Sequence, residues 1–69
     1  MKIKIKIYGE GSVVLEFKKE KVSVKEILDR LGLLSSATIV VKGERVLLEN
    51  ELVQNSDELI IYKVQKFIG

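Results

Sequence analysis

The sequence predicts a small α+β domain in which a mixed sheet carries one helix on one face, with its elements in the order β-β-α-β-β. Three observations carry that expectation. Residues 2–8 alternate lysine and isoleucine up to Tyr8, Ser23 and Glu26 open an amphipathic stretch that stops at Gly32, and Leu59 to Val64 forms an apolar, β-branched run. A period of two followed by a period near 3.6 and then a return to strand-like residues is the pattern of strands flanking one helix.

The chain has 69 residues, close to the lower size at which one core holds without disulfides or metal. A single domain over residues 1–69 is therefore expected, with residues 65–69 as a flexible C-terminal tail. Apolar residues make up 46% and charged residues 32%, enough apolar surface to fold rather than remain disordered. Cysteine and histidine are both absent, which removes thiolate nucleophiles, disulfides, the usual zinc sites and the commonest general base. The expectation is a protein that is not itself an enzyme and needs no cofactor. No apolar run approaches the roughly 18–20 residues that span a bilayer, and the first residues alternate Lys and Ile instead of forming a signal-peptide core. A cytoplasmic protein without membrane partners is expected.

In the first strand Ile3, Ile5 and Ile7 share one face, while Lys2, Lys4, Lys6 and Tyr8 share the other. Gly9-Glu10-Gly11-Ser12 supplies two residues that tolerate positive φ, so a hairpin leads to a second strand whose Val13, Leu15 and Phe17 face inward. The charged run Lys18-Lys19-Glu20-Lys21 ends this hairpin in solvent. Ser23 and Glu26 have the spacing of a capping box, in which the hydroxyl accepts from an early helical N–H and the carboxylate reaches back to the cap. Val22 and Ile27 form the matching hydrophobic staple. Val24, Ile27, Leu28 and Leu31 make one apolar stripe, and Gly32 closes a helix over about residues 23–31.

Ala37 to Val41 reads as a strand, Lys42-Gly43-Glu44-Arg45 as a turn and Val46 to Leu48 as a short return strand. Glu49-Asn50-Glu51 is polar loop, Leu52 and Val53 can re-enter the core, and Asn55-Ser56-Asp57 is a turn built from side chains that bond their own backbone. Leu59 to Val64 is the last strand, and its apolar run predicts a central position buried more than the edges. Right-handed crossovers between parallel strands and the need to cover one sheet face place this strand beside the first and parallel to it. That arrangement is the β-grasp architecture.

With its elements placed, the chain resembles the ubiquitin-like sulfur carrier proteins of thiamine and molybdopterin biosynthesis and the archaeal small modifiers related to them. The likeness covers almost the whole length. Val24-Lys25-Glu26-Ile27-Leu28 with Leu31-Gly32-Leu33 looks like that family's "TV-x-E-L-L … L-G-L" helix. Val40-Val41-Lys42-Gly43-Glu44-Arg45-Val46 is similar to its "V-N-G-E-x-V" hairpin, and Leu52 to Leu59 to its "L-x-D-G-D-x-I" turn. Lys42 stands where the family favours Asn, Ser56 where it favours Gly, and Ile68 where it has the first glycine of a terminal Gly-Gly. The resemblance implies a free C-terminal carboxylate, here that of Gly69, which an adenylating partner enzyme activates for conversion to a thiocarboxylate or a conjugate. A downstream synthase or sulfur acceptor would then be the second partner.

Two further surfaces follow from the residues themselves. Ile60, Tyr62 and Val64, the outward side chains of the last strand, are expected to form an apolar docking patch on the helix-free sheet face. If the tail chemistry is lost, this patch defines a non-conjugating interaction module. Lys2, Lys4, Lys6 and Lys18 with Tyr8 and Tyr62 form the only candidate nucleic-acid surface, disfavoured by Glu16 among them and by a net charge of only +2. Glu49, Glu51 and Asp57 lack the spacing of a cation site.

Overall fold

The computed structural model describes residues 1–64, so the expected tail 65–69 and the candidate reactive Gly69 lie outside the described residues. The elements are β1 (Lys2–Ile7), β2 (Gly11–Glu16), β3 (Lys21–Ser23), α1 (Val24–Leu31), a 3-10 turn (Ser35–Ala37), β4 (Thr38–Lys42), β5 (Arg45–Leu47), β6 (Leu52–Gln54) and β7 (Glu58–Lys63). Five strands form one mixed sheet in the order β2-β1-β7-β4-β5, and β3 pairs with β6 in a separate two-stranded sheet. The fold is α+β with one helix, as the periodicity predicts. As expected, β7 lies beside β1 and parallel to it, with Ile5 opposite Leu59 and Ile7 opposite Ile61.

Alternation decides which side chains enter the core. Ile3, Ile5, Leu59 and Ile61 are fully buried on one face of the two inner strands, and Val22, Val24, Ile27, Leu28 and Val53 meet them from the helix and the small sheet. Burying a side chain of this size contributes about 1.5–3 kcal/mol, so this contiguous cluster is the main source of stability. Val13 and Leu15 face the same way but are only half-buried, because β2 is an edge strand. Phe17 beyond it is buried, with the Arg30 guanidinium 4.6 Å above its ring.

The helix ends follow the chemistry of their residues. Ser23 Oγ accepts the Glu26 N–H at 3.1 Å, which satisfies one of the donors left over at a helix start. The other arm of the expected capping box differs: the Glu26 carboxylate pairs with Lys19 Nζ at 3.1 Å instead of returning to Ser23. A nearby ammonium offers it a charge-assisted bond that a neutral N–H does not match. At the other end Gly32 takes φ 73° and ψ 26°, its N–H bonds Asp29 O, and Leu33 N–H bonds Leu28 O. This Schellman closure needs the left-handed residue that glycine provides.

Three expectations are corrected. Lys21–Ser23 and Leu52–Gln54, where no strand is expected, form the β3–β6 ladder, with Val22 opposite Val53. Within it Val53 is buried and Leu52 is exposed, since consecutive strand residues point to opposite faces. The last strand spans Glu58–Lys63 and not Leu59 to Val64, with Leu59 and Ile61 buried, Ile60 half-buried and Tyr62 exposed. With one helix for five strands, no element among the described residues covers the second face.

Candidate functional site

The helix-free face of the large sheet is built in rows set by strand register. Lys6 stands opposite Ile60, Ile60 opposite Val41 and Val41 opposite Val46, so one row crosses β1, β7, β4 and β5. The adjoining row, nearer the end of β7, sets Tyr62 opposite Ile39. Tyr8 follows β1, with its N–H on Ile61 O at 2.9 Å, and its ring packs against Tyr62 with centroids 5.3 Å apart and planes tilted by 35°. Tilted aromatic pairs of this spacing contribute about 0.5–1.5 kcal/mol beyond their burial. Tyr8, Tyr62, Ile39 and Val46 all remain exposed. The result is a continuous apolar and aromatic surface, with the exposed ammonium side chains of Lys2, Lys4 and Lys6 along its β1 side.

The hairpin that carries Tyr8 is fixed by its turn. Glu10 N–H donates to Ile7 O at 2.9 Å, and Gly9 at the third turn position has φ 81°, the value that position of a type II turn demands. Glu10 is then placed to pair with Lys63 Nζ at 2.7 Å, which ties the turn to the end of β7. Alternation in β4 carries Ile39 to the open face because Val40 is in the core.

Of the expected docking residues, the structure brings Ile60 and Tyr62 together on this face. Val64 lies past the end of β7. Its N–H bonds Ala37 O at 2.9 Å, and it borders a shallow hollow of about 270 Å³ shared with Leu33, Leu34 and Ala37. Ile39, Val41 and Val46 also belong to the face, although only Ile60, Tyr62 and Val64 are singled out in the sequence. The signal for them was the alternation around Val40, which needs the position of β4 in the sheet to be read.

Glu51 and Asp57 serve structure. Glu51 Oε2 accepts the Leu48 N–H at 2.6 Å and its Oε1 meets the Arg45 guanidinium. The backbone N–H of Leu48 holds the Glu51 carboxyl below the usual carboxylate range, against the opposing effect of desolvation and with help from the Arg45 hydrogen bond and charge. Asp57 accepts the Gln54 N–H at 2.8 Å and pairs with Lys42 Nζ at 3.1 Å. Asn55 Oδ1 accepts the Lys2 N–H at 2.8 Å. Ser56, between them, has φ 71°. Among the described residues no three His, Cys, Asp or Glu side chains converge as metal ligands would, and no helix is long and apolar enough to cross a membrane. No protein-family model matches the chain, and no curated protein matches it.

Proposed function

We propose that this chain is a β-grasp, ubiquitin-like carrier or small modifier whose Gly69 carboxylate is activated by an adenylating partner enzyme docked on the open sheet face. The observation that carries the reading is the Tyr8–Tyr62–Ile39 surface with Ile60 beside it, placed at the end of the sheet where β7 runs out toward the C-terminal residues. Interfaces concentrate binding energy in aromatic anchors at the centre and polar contacts at the rim, and this face has tyrosines flanked by lysines. The left-handed Ser56 lends support too, since the resembled family favours glycine there and a φ of 71° is what glycine adopts without strain.

In this reading the carboxylate attacks the α-phosphorus of ATP, pyrophosphate leaves, and a sulfur or amine nucleophile then displaces AMP from the acyl-adenylate. All catalytic groups belong to the partner, consistent with a chain that lacks Cys and His. A downstream synthase or sulfur acceptor takes the thiocarboxylate, in a cytoplasmic setting. A second reading, a non-conjugating interaction module, is favoured by one residue: Ile68 puts a branched side chain where the resembled family threads a glycine into the partner's channel. The test is to incubate the purified chain with ATP and an adenylating enzyme from the same cell, then measure intact mass. An adenylate, or one oxygen replaced by sulfur, supports the carrier. An unchanged mass with a partner that binds the chain favours the module.

A further inference from the structure

Independently of the carrier reading, we infer that β2 pairs edge to edge with β2 of a second copy of this chain, joining the two sheets into one antiparallel sheet. The argument starts from backbone direction. Met1 and Phe17 exchange N–H···O bonds at 2.8 and 2.6 Å across β1 and β2. In an antiparallel ladder such pairs recur at every second residue, so Leu15, Val13 and Gly11 also point their backbone groups at β1. Ser12, Val14 and Glu16 therefore point theirs outward. Arg30 Nη1 confirms the direction by donating to Glu16 O at 3.4 Å from the outer side. Among the described residues the N–H and C=O groups of Ser12 and Val14 have no partner on that side.

An edge of this kind is normally blunted, and the opposite edge shows how. Beyond β5, Glu51 takes both backbone groups of Leu48: its carboxylate accepts the N–H at 2.6 Å and its own N–H donates to the carbonyl at 3.0 Å. The β5 edge is thus closed after three strand residues. The six-residue β2 has no proline and no charged side chain before Glu16, and it presents an exposed Val14 on its open face. A long, uncharged free edge is a template for another strand.

The side chains of β2 select a second copy as the occupant, because the strand is self-complementary. In a two-fold register centred on Val14, each Val14 faces Val14 of the second copy, and Val13 faces Leu15 of the second copy. Ser12 faces Glu16 of the second copy, and Glu10 approaches Lys18 of the second copy. Exposed Val14 is covered, half-buried Val13 and Leu15 gain apolar neighbours, and opposite charges meet at both ends. Arg30 is no obstacle, since a carbonyl oxygen has two lone pairs and can accept a second donor. Shifting the centre to Val13 would set Glu10 against Glu16 of the second copy, so charge also fixes the register.

An interface made of one strand edge falls at the small end of specific contacts, so the dimer is concentration-dependent. Sedimentation equilibrium of the full chain, followed from micromolar to millimolar concentration, should show reversible dimerisation. Val14→Lys should weaken it by roughly tenfold or more, because two lysines would then face each other across the axis. Val46→Lys on the β5 edge should leave it unchanged. In the wild-type chain, the Ser12, Val14 and Glu16 amides should exchange more slowly as concentration rises, which reads the backbone pairing without any substitution. A chain that stays monomeric throughout, or a dimer in which these amides exchange at the monomer rate, overturns the inference. So does a dimer lost in Tyr62→Asp but kept in Val14→Lys, which would place the contact on the aromatic face.

Discussion

At the scale of single residues, the helix shows how cap and core divide its stability. Ser23 Oγ satisfies one backbone donor in a half-buried position, while Leu28 is 2% exposed and packed among Ile3, Ile5, Leu59 and Ile61 in one core cluster. Removing a serine cap typically costs about 0.5–2 kcal/mol, and truncating a buried leucine to alanine about 2–5 kcal/mol, because the cavity closes only in part. Denaturant unfolding of Ser23→Ala and Leu28→Ala should therefore rank Leu28→Ala as the more damaging. The reverse order would mean that the helix is held by its cap and not by its stripe. Both residues were legible in the sequence, since a capping serine and a 3.6-residue apolar stripe are local signals. The partner of Glu26 was not, because Lys19 reaches it from the preceding loop and no spacing rule ranks an ammonium against the cap's own N–H. Ser56 shows the same limit: Asn-Ser-Asp reads as a turn, but only the fold shows which of the three carries the positive φ.

At the scale of elements, strict alternation made β1 and β2 readable residue by residue, while β3 and β6 went unread. Each has three residues, too few for a period to emerge, and each is held by the other across 31 positions, from Val22 to Val53. Such pairing is a tertiary fact. Glu51 anchors this region, bridging Arg45 of β5 and the Leu48 amide just before β6. Its folded-state pKa is depressed, chiefly by the Leu48 N–H bond, so the unfolded chain takes up the proton first as pH falls. The stability it contributes is therefore present at neutral pH and is lost as acid brings the pH down through the folded-state value. Comparing urea midpoints at about pH 7 and about pH 3, the wild-type chain should lose more stability than Glu51→Gln, whose amide does not titrate there. Equal losses in the two chains would show that the Arg45 and Leu48 contacts are not maintained in solution.

At the scale of the whole molecule, one helix over five strands leaves a complete sheet face without cover among the described residues, and the proposed function turns on that face. The run Leu59 to Val64 reads as a central strand with Ile60, Tyr62 and Val64 on its outward side. The structure separates it into Leu59 and Ile61, which are in the core, and Ile60 and Tyr62, which are not. Alternation made that division legible for Ile60 and Tyr62, but Val64 lies past the end of β7, a boundary that composition does not mark. Since isolated exposed apolar residues are ordinary, the weight rests on contiguity: Tyr62 is packed on Tyr8, faces Ile39 and is one row from Ile60. Tyr62→Asp should therefore separate binding from folding. Stability should fall by about 1 kcal/mol, the order of the lost ring contact, because Tyr62 is 37% exposed and the core behind it is untouched. Affinity for the proposed adenylating partner should fall by at least about 2 kcal/mol, roughly 30-fold, since a desolvated carboxylate would replace a central aromatic anchor. Lys25→Ala, on the exposed side of the helix, should leave both quantities unchanged. Calorimetric titration of the folded variants measures the two effects side by side, and undiminished binding by Tyr62→Asp would move the partner surface off the open face.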